Sequence, residues 1–191
     1  MSKRAVFMDR DGTIVQGVEY LRSLEELVLL PDAARAIRHF SENGYLTIIV
    51  TNQSGVARGY LTEEKLVEIH NRLISMLSEE GARIDAIYYC PHLAEGTVKE
   101  YSIDCQCRKP RPEMLLRAAR EHDIDLSKSI MIGDTPADVM AGMAAGCKTV
   151  LIQSSDILSR RRRNTSEDSF DMPVNPDCIA TGLMGAVALV S

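Results

Sequence analysis

The chain has 191 residues, 45% of them apolar, and a formal charge of −5. At that length about 70% of the unfolded surface is expected to be buried in one domain, 1–191, whose core has no tryptophan to build on. The acidic balance speaks against a nucleic-acid partner, the lack of an 18-residue apolar run against a membrane span, and the short Met1-Ser2-Lys3-Arg4 lead against a secretion signal, so a cytoplasmic monomer is expected.

Ala5-Val6-Phe7-Met8 predicts a buried strand ending at charged residues. Residues 14–30 read as an irregular flap. Asp32 reads as an N-cap for a helix with Ala33, Ala36, Ile37 and Phe40 on its apolar face, stopped by Asn43-Gly44. The β-branched run 46–50 predicts a second strand, and Thr62-Glu63-Glu64 starts a helix with a Leu66, Ile69, Leu73, Leu77 stripe. Residues 84–89 predict a third strand, 112–122 a helix, 129–132 a fourth strand, 137–145 a helix ended by Gly146, and 148–152 a fifth strand. Residues 153–177 read as polar loop and 178–189 as a last helix; Arg160-Arg161-Arg162-Arg163 reads as a solvated stretch. Strands alternating with helices predict an α/β, Rossmann-like parallel sheet with helices on both faces, and a ligand beyond the carboxyl ends of its strands.

The motifs sit at those ends. Asp9 and Asp11, two apart after the first strand, suit a nucleophile and a proton carrier, with Gly12 allowing the turn. By itself the pair reads equally well as a polar turn. Gly133-Asp134 after the fourth strand shifts the balance toward chemistry, because a third carboxylate completes a hard oxygen site for magnesium, with Asp138 one helical turn further on in support. Thr51 offers a hydroxyl and an amide to a phosphate oxygen. Arg108 and Lys109 supply two cations, Lys109 for a transferring phosphoryl group and Arg108 for a second anionic group.

Cys90, His92, Cys105 and Cys107 bracket a loop, 90–107, and form a soft donor set suited to zinc; the other reading is ordinary cysteine. Zinc here would fix the loop that aims Arg108 and Lys109. Cys147 and Cys178 read as packing residues.

Asp9-x-Asp11-Gly12-Thr13, Thr51, Lys109 and Gly133-Asp134-x-x-x-Asp138, in this order, resemble the four motifs of the haloacid dehalogenase superfamily. The resemblance implies an aspartyl-phosphate on Asp9, Asp11 as acid and then base, and magnesium on the Asp9 carboxylate, the Asp11 carbonyl and Asp134. The long zinc loop and Asn52-Gln53-Ser54-Gly55-Val56-Ala57-Arg58-Gly59 are similar to the heptose-bisphosphate branch of those phosphatases. That implies no large cap domain and a small phosphorylated sugar as partner, losing its C7 phosphate in the synthesis of nucleotide-heptose and lipopolysaccharide precursors. Substrate contacts are then expected from Gly17, Val18, Glu19, Tyr20, Asn52, Gln53, Ser54, Arg108, Lys109 and Thr135. The chain departs from the family pattern at Val15, Gly17 and Thr135, near the sugar. The rivals are a histidinol-phosphate or other small-ester phosphatase and, from another class, an inactive zinc-binding scaffold.

Overall fold

The computed structural model describes residues 2–17, 20–153 and 174–190. The Arg160–Arg163 run lies outside them. Six strands form one parallel sheet: β1 (Arg4–Met8), β2 (Tyr45–Asn52), β3 (Ala86–Cys90), β4 (Ile130–Gly133), β5 (Lys148–Ile152) and β6 (Cys178–Ala180), in the order β3-β2-β1-β4-β5-β6. The helices are α1 (Ala33–Glu42), α2 (Glu63–Glu79), α3 (Glu113–His122), α4 (Pro136–Ala145) and α5 (Leu183–Val190).

Alternation along the strands builds two cores. Val6, Met8, Ile49, Ile132 and Val150 face a cluster that includes Ile37 and Phe40 of α1, Ile69 and Leu73 of α2, and Leu183 of α5. Ala5, Phe7, Ile48, Val50 and Met131 face the opposite way, onto Met114 and Leu115 of α3 and Ala141 of α4. Strands buried on both faces read as continuous apolar runs, as they do here. No helix among the described residues is long and apolar enough to cross a membrane.

Caps fix the helix starts. Thr62 accepts a hydrogen bond from the Lys65 amide at 3.2 Å, and Glu63 and Glu64 add negative charge to the first turn of α2. Asp32 occupies the cap position of α1 but does not cap: its backbone is left-handed (φ +62°), its side chain accepts no capping bond, and it pairs instead with Arg35 at 3.4 Å.

Two acids pin the amino ends of the strands. The Asp85 carboxylate accepts from the Thr47 amide at 2.9 Å, and the Asp177 carboxylate from the Thr149 amide at 2.8 Å and hydroxyl at 2.9 Å. Each acid stands immediately before the strand that pairs with that threonine's own strand. This explains why β3 begins at Ala86 rather than at residue 84: Asp85 is spent on Thr47. It also explains a correction at the other end. Residues 178–180, expected to open the last helix, form an edge strand beside β5, locked by Asp177 and by the Gln153 amide donating to the Ala180 carbonyl at 2.8 Å. The helix is confined to α5.

Candidate active site

Asp9 leaves β1 at the middle of the sheet, its amide bonded to the Ile132 carbonyl of β4 at 2.9 Å. The loop before α3 brings Lys109 to it. The Lys109 ammonium donates to Asp9 Oδ1 at 2.7 Å, to the Val50 carbonyl at 2.7 Å and to Asp138 Oδ1 at 2.5 Å. All three ammonium protons are thus engaged, and Asp9, Lys109 and Asp138 are all buried. Burial works against the Lys109 charge, but Asp138 and Asp9 outweigh it and hold the ammonium above its ordinary range. Burial likewise pushes Asp9 up to about 6, against the pull of Lys109.

Asp138 has a second task. Its Oδ2 accepts from the Thr135 amide at 2.9 Å and hydroxyl at 2.6 Å, closing the capping box of α4. The Thr135 hydroxyl is therefore committed to the helix start, so a Thr135 contact with substrate requires that bond to be shared.

Carboxylate oxygens of Asp9, Asp134 and Asp138 all lie within 4.8 Å of one another. Three carboxylates gather where one ammonium is at hand, bonded to Asp9 and Asp138, and the surplus negative charge in so small a space suits a divalent cation with a preference for oxygen. The backbone leaves room for it. Gly12 has φ +81°, and a Cβ there would stand 2.5 Å from Asp134 Oδ2. The donor set fits magnesium.

The Asp11 carboxylate stands apart from that group. Its Oδ1 accepts from Arg10 Nε at 3.1 Å; its Oδ2 accepts from Arg10 Nη2 and from Gln53 Nε2, each at 2.8 Å. Gln53 also donates to the Thr51 hydroxyl at 2.9 Å and accepts from Arg10 at 2.8 Å. Thr51, Gln53 and Ser54 are buried, and Gln53 is tied to the Asp11 carboxylate. Asn52 faces Lys109 instead, donating to its carbonyl and accepting from its amide, both at 3.0 Å.

Around the mouth, the Tyr20 and Tyr60 rings meet edge to face at 4.7 Å, with the Arg22 guanidinium 4.5 Å over Tyr60. This joins the flap to the loop after β2. Gly17 and Tyr20 are half-buried on the flap; Val18 and Glu19 lie outside the described residues. Arg108 is half-buried, one residue from Lys109, and donates to the His92 carbonyl at 3.3 Å.

The four expected soft ligands converge. Cys90 Sγ is 3.4 Å from Cys105 Sγ, Cys105 Sγ is 3.3 Å from Cys107 Sγ, and His92 Nδ1 lies 3.3 Å from Cys107 Sγ and 3.8 Å from Cys90 Sγ. A tetrahedral zinc with bonds of about 2.3 Å separates its ligands by about 3.8 Å. The set fits zinc after small outward shifts. Hydrogen bonds from Cys90 foremost hold the Cys107 thiol down to about 5, and the same sharing raises Cys90. Glu63, at the start of α2, clasps this loop: Tyr101 and Tyr89 each donate a phenol hydrogen bond to it at 2.8 Å.

Arg10 and His70 escaped sequence reading. Arg10 is fully buried and donates to His70 Nε2 at 3.1 Å. An arginine between two aspartates at a buried strand end was the available signal, because such a cation must find partners.

The fold and this carboxylate–lysine cluster define a HAD-like hydrolase. The family model described as HAD-hydrolase-like matches residues 106–184. The D-glycero-beta-D-manno-heptose-1,7-bisphosphate 7-phosphatase of Pasteurella multocida is 41% identical over 80% of this chain and 83% of its own. The D-glycero-D-manno-heptose-1,7-bisphosphate 7-phosphatase of Thermosynechococcus vestitus is 38% identical over 98% of this chain and 95% of its own. A solved D,D-heptose 1,7-bisphosphate phosphatase from B. bronchiseptica, complexed with magnesium and phosphate, superposes with a TM-score of 0.79 at 28% identity, covering 98% of this chain and 97% of that one. The chain belongs to the D-glycero-D-manno-heptose-1,7-bisphosphate 7-phosphatase family.

Proposed function

We propose that this chain removes the C7 phosphate of D-glycero-D-manno-heptose 1,7-bisphosphate through an aspartyl-phosphate on Asp9. The observation that carries the reading is the buried Asp9–Lys109–Asp138 triad beside Asp134, in a chain whose relatives of this name are about 40% identical. An Asp9 oxygen attacks phosphorus, the bond from phosphorus to the C7 oxygen breaks, and Asp11 gives its proton to that oxygen. Water then attacks the same phosphorus, losing a proton to Asp11, and the bond to Asp9 breaks to free phosphate.

Lys109 neutralises the transferring group from a fixed place, since its protons anchor Asp9 and Asp138. Thr51 and its amide hold a phosphoryl oxygen. Asp9, the Asp11 carbonyl and Asp134 would hold magnesium, which when bound supplies positive charge to the phosphoryl oxygens. Cys90, His92, Cys105 and Cys107 would hold a structural zinc. Arg108 takes the C1 phosphate, and the flap with Gly17, Val18, Glu19 and Tyr20, the Asn52-Gln53-Ser54 turn and Thr135 shape the sugar site. The product serves nucleotide-heptose and lipopolysaccharide precursor synthesis.

Phosphate release with magnesium tests this on both anomers of the heptose bisphosphate, fructose 1,6-bisphosphate and histidinol phosphate, beside Asp9→Asn. Preference for a heptose bisphosphate, lost by at least about a thousandfold in the variant, is expected. Preference for histidinol phosphate would overturn the sugar, and equal release by the variant would overturn the nucleophile.

A further inference from the structure

Asp11 does not reach the metal cluster with its carboxylate; a separate buried network holds it. Arg10, with a side chain 1% exposed, grips both Asp11 oxygens, and Asp11 keeps 29% of its own side chain open. A forked guanidinium on a carboxylate fixes orientation as well as charge. Arg10 is itself seated. Its Nη1 can only donate, so His70 Nε2, at 3.1 Å, accepts, and the proton of the neutral ring sits on Nδ1. His70 is 5% exposed on α2 and packs against Tyr89 with ring centroids 5.4 Å apart. Tyr89 is held by Glu63, which also holds Tyr101 of the cysteine loop.

Resting on the reading of Asp11 as proton carrier, we propose that Arg10 and His70 are positioning residues for Asp11: His70 seats the guanidinium, and the guanidinium aims the carboxyl group at the leaving oxygen. Neither touches the reacting atoms. An apolar side chain at position 70 would leave a buried guanidinium proton without an acceptor, and the fork would swing.

The test exploits the leaving group. kcat/KM covers steps up to departure of the leaving oxygen; a sugar alkoxide needs a proton there and p-nitrophenolate does not. Asp11→Asn, His70→Leu, His70→Gln and Arg10→Lys are compared with the unsubstituted chain on heptose 1,7-bisphosphate and p-nitrophenyl phosphate. Asp11→Asn, His70→Leu and Arg10→Lys should each lose about 10- to 100-fold in kcat/KM on the sugar phosphate and less than about threefold on the nitrophenyl ester. His70→Gln, whose amide oxygen can accept from Arg10, should stay within about threefold on both. If His70→Leu does not fold, Arg10→Lys carries the test, since it keeps the charge and loses the fork. Equal losses on the two esters, or none, in His70→Leu and Arg10→Lys while Asp11→Asn discriminates, would overturn the proposal. An Asp11→Asn variant that does not discriminate would overturn the reading of Asp11 and this proposal with it. If the unsubstituted chain prefers another alkyl phosphate, only the sugar assignment falls, and the same variants are judged on that ester.

Discussion

Asn52 and Lys109 are joined by a reciprocal pair of 3.0 Å hydrogen bonds, side-chain amide to backbone amide, across 57 residues of sequence. The end of β2 thereby sets the height at which the Lys109 backbone passes Asp9. Asn52→Ala should lower kcat by about 10- to 100-fold, with KM little changed, and cost about 1–3 kcal/mol of stability from the unpaired groups left behind. Steady-state kinetics and urea unfolding check both. Asn52→Asp keeps the acceptor and loses the donor, so its kcat should lie between the two.

Gly12→Ala probes the room left beside Asp134. The new methyl would meet the carboxylate at 2.5 Å, in a backbone conformation that costs an alanine about 1–2 kcal/mol. Magnesium affinity, read by titration calorimetry, should fall at least about tenfold, and thermal unfolding should show the backbone cost without magnesium present.

Metal analysis should find one zinc per chain. Its removal by a chelator, or Cys107→Ser, should lower Tm by at least about 10 °C, since metal binding is folding free energy in such loops. Excess magnesium should not restore the lost phosphate release, because what fails is the loop that carries Lys109.

His70 makes an acid-sensitive lock. Burial, and then Arg10, depress it from 6.5 to about 3. A depressed histidine contributes stability that is complete above the unfolded value. That contribution drains as pH falls from 6.5 toward 3, where the unfolded chain binds a proton that the folded one refuses. The loss is about 1.4 kcal/mol per pH unit within that window. Unfolding free energies from urea titrations at pH 7, 6 and 5 should therefore fall faster for the unsubstituted chain than for His70→Gln, by about 2 kcal/mol at pH 5.

The strands that flank the site were legible because parallel strands buried on both faces spell continuous apolar runs, and because Asp9, Thr51 and Asp134 stand where those runs end. What escaped has a common cause. β6 is three residues long and is made by its neighbour: Asp177 on Thr149 and Gln153 on Ala180 decide it, while its own apolar run reads as helix. Asp32 resembles a cap in sequence, yet its left-handed backbone points the carboxylate toward Arg35. The pairings of Arg10 with His70 and Gln53 and of Asn52 with Lys109 reach across 43 to 60 residues, and no local spacing names those partners. The cysteine loop was the easier case, since its donors lie close along the chain and their chemistry is distinctive.

The sheet keeps its two ends for different work. Asp85 on Thr47 and Asp177 on Thr149 lock the strands where they begin, while the groups proposed to react gather where the strands finish. An engineer seeking a hardier protein therefore has a region to strengthen that shares no side chain with the chemistry. Improvements made at those strand origins need not be traded against turnover, as they commonly must when rigidity and catalysis draw on the same residues.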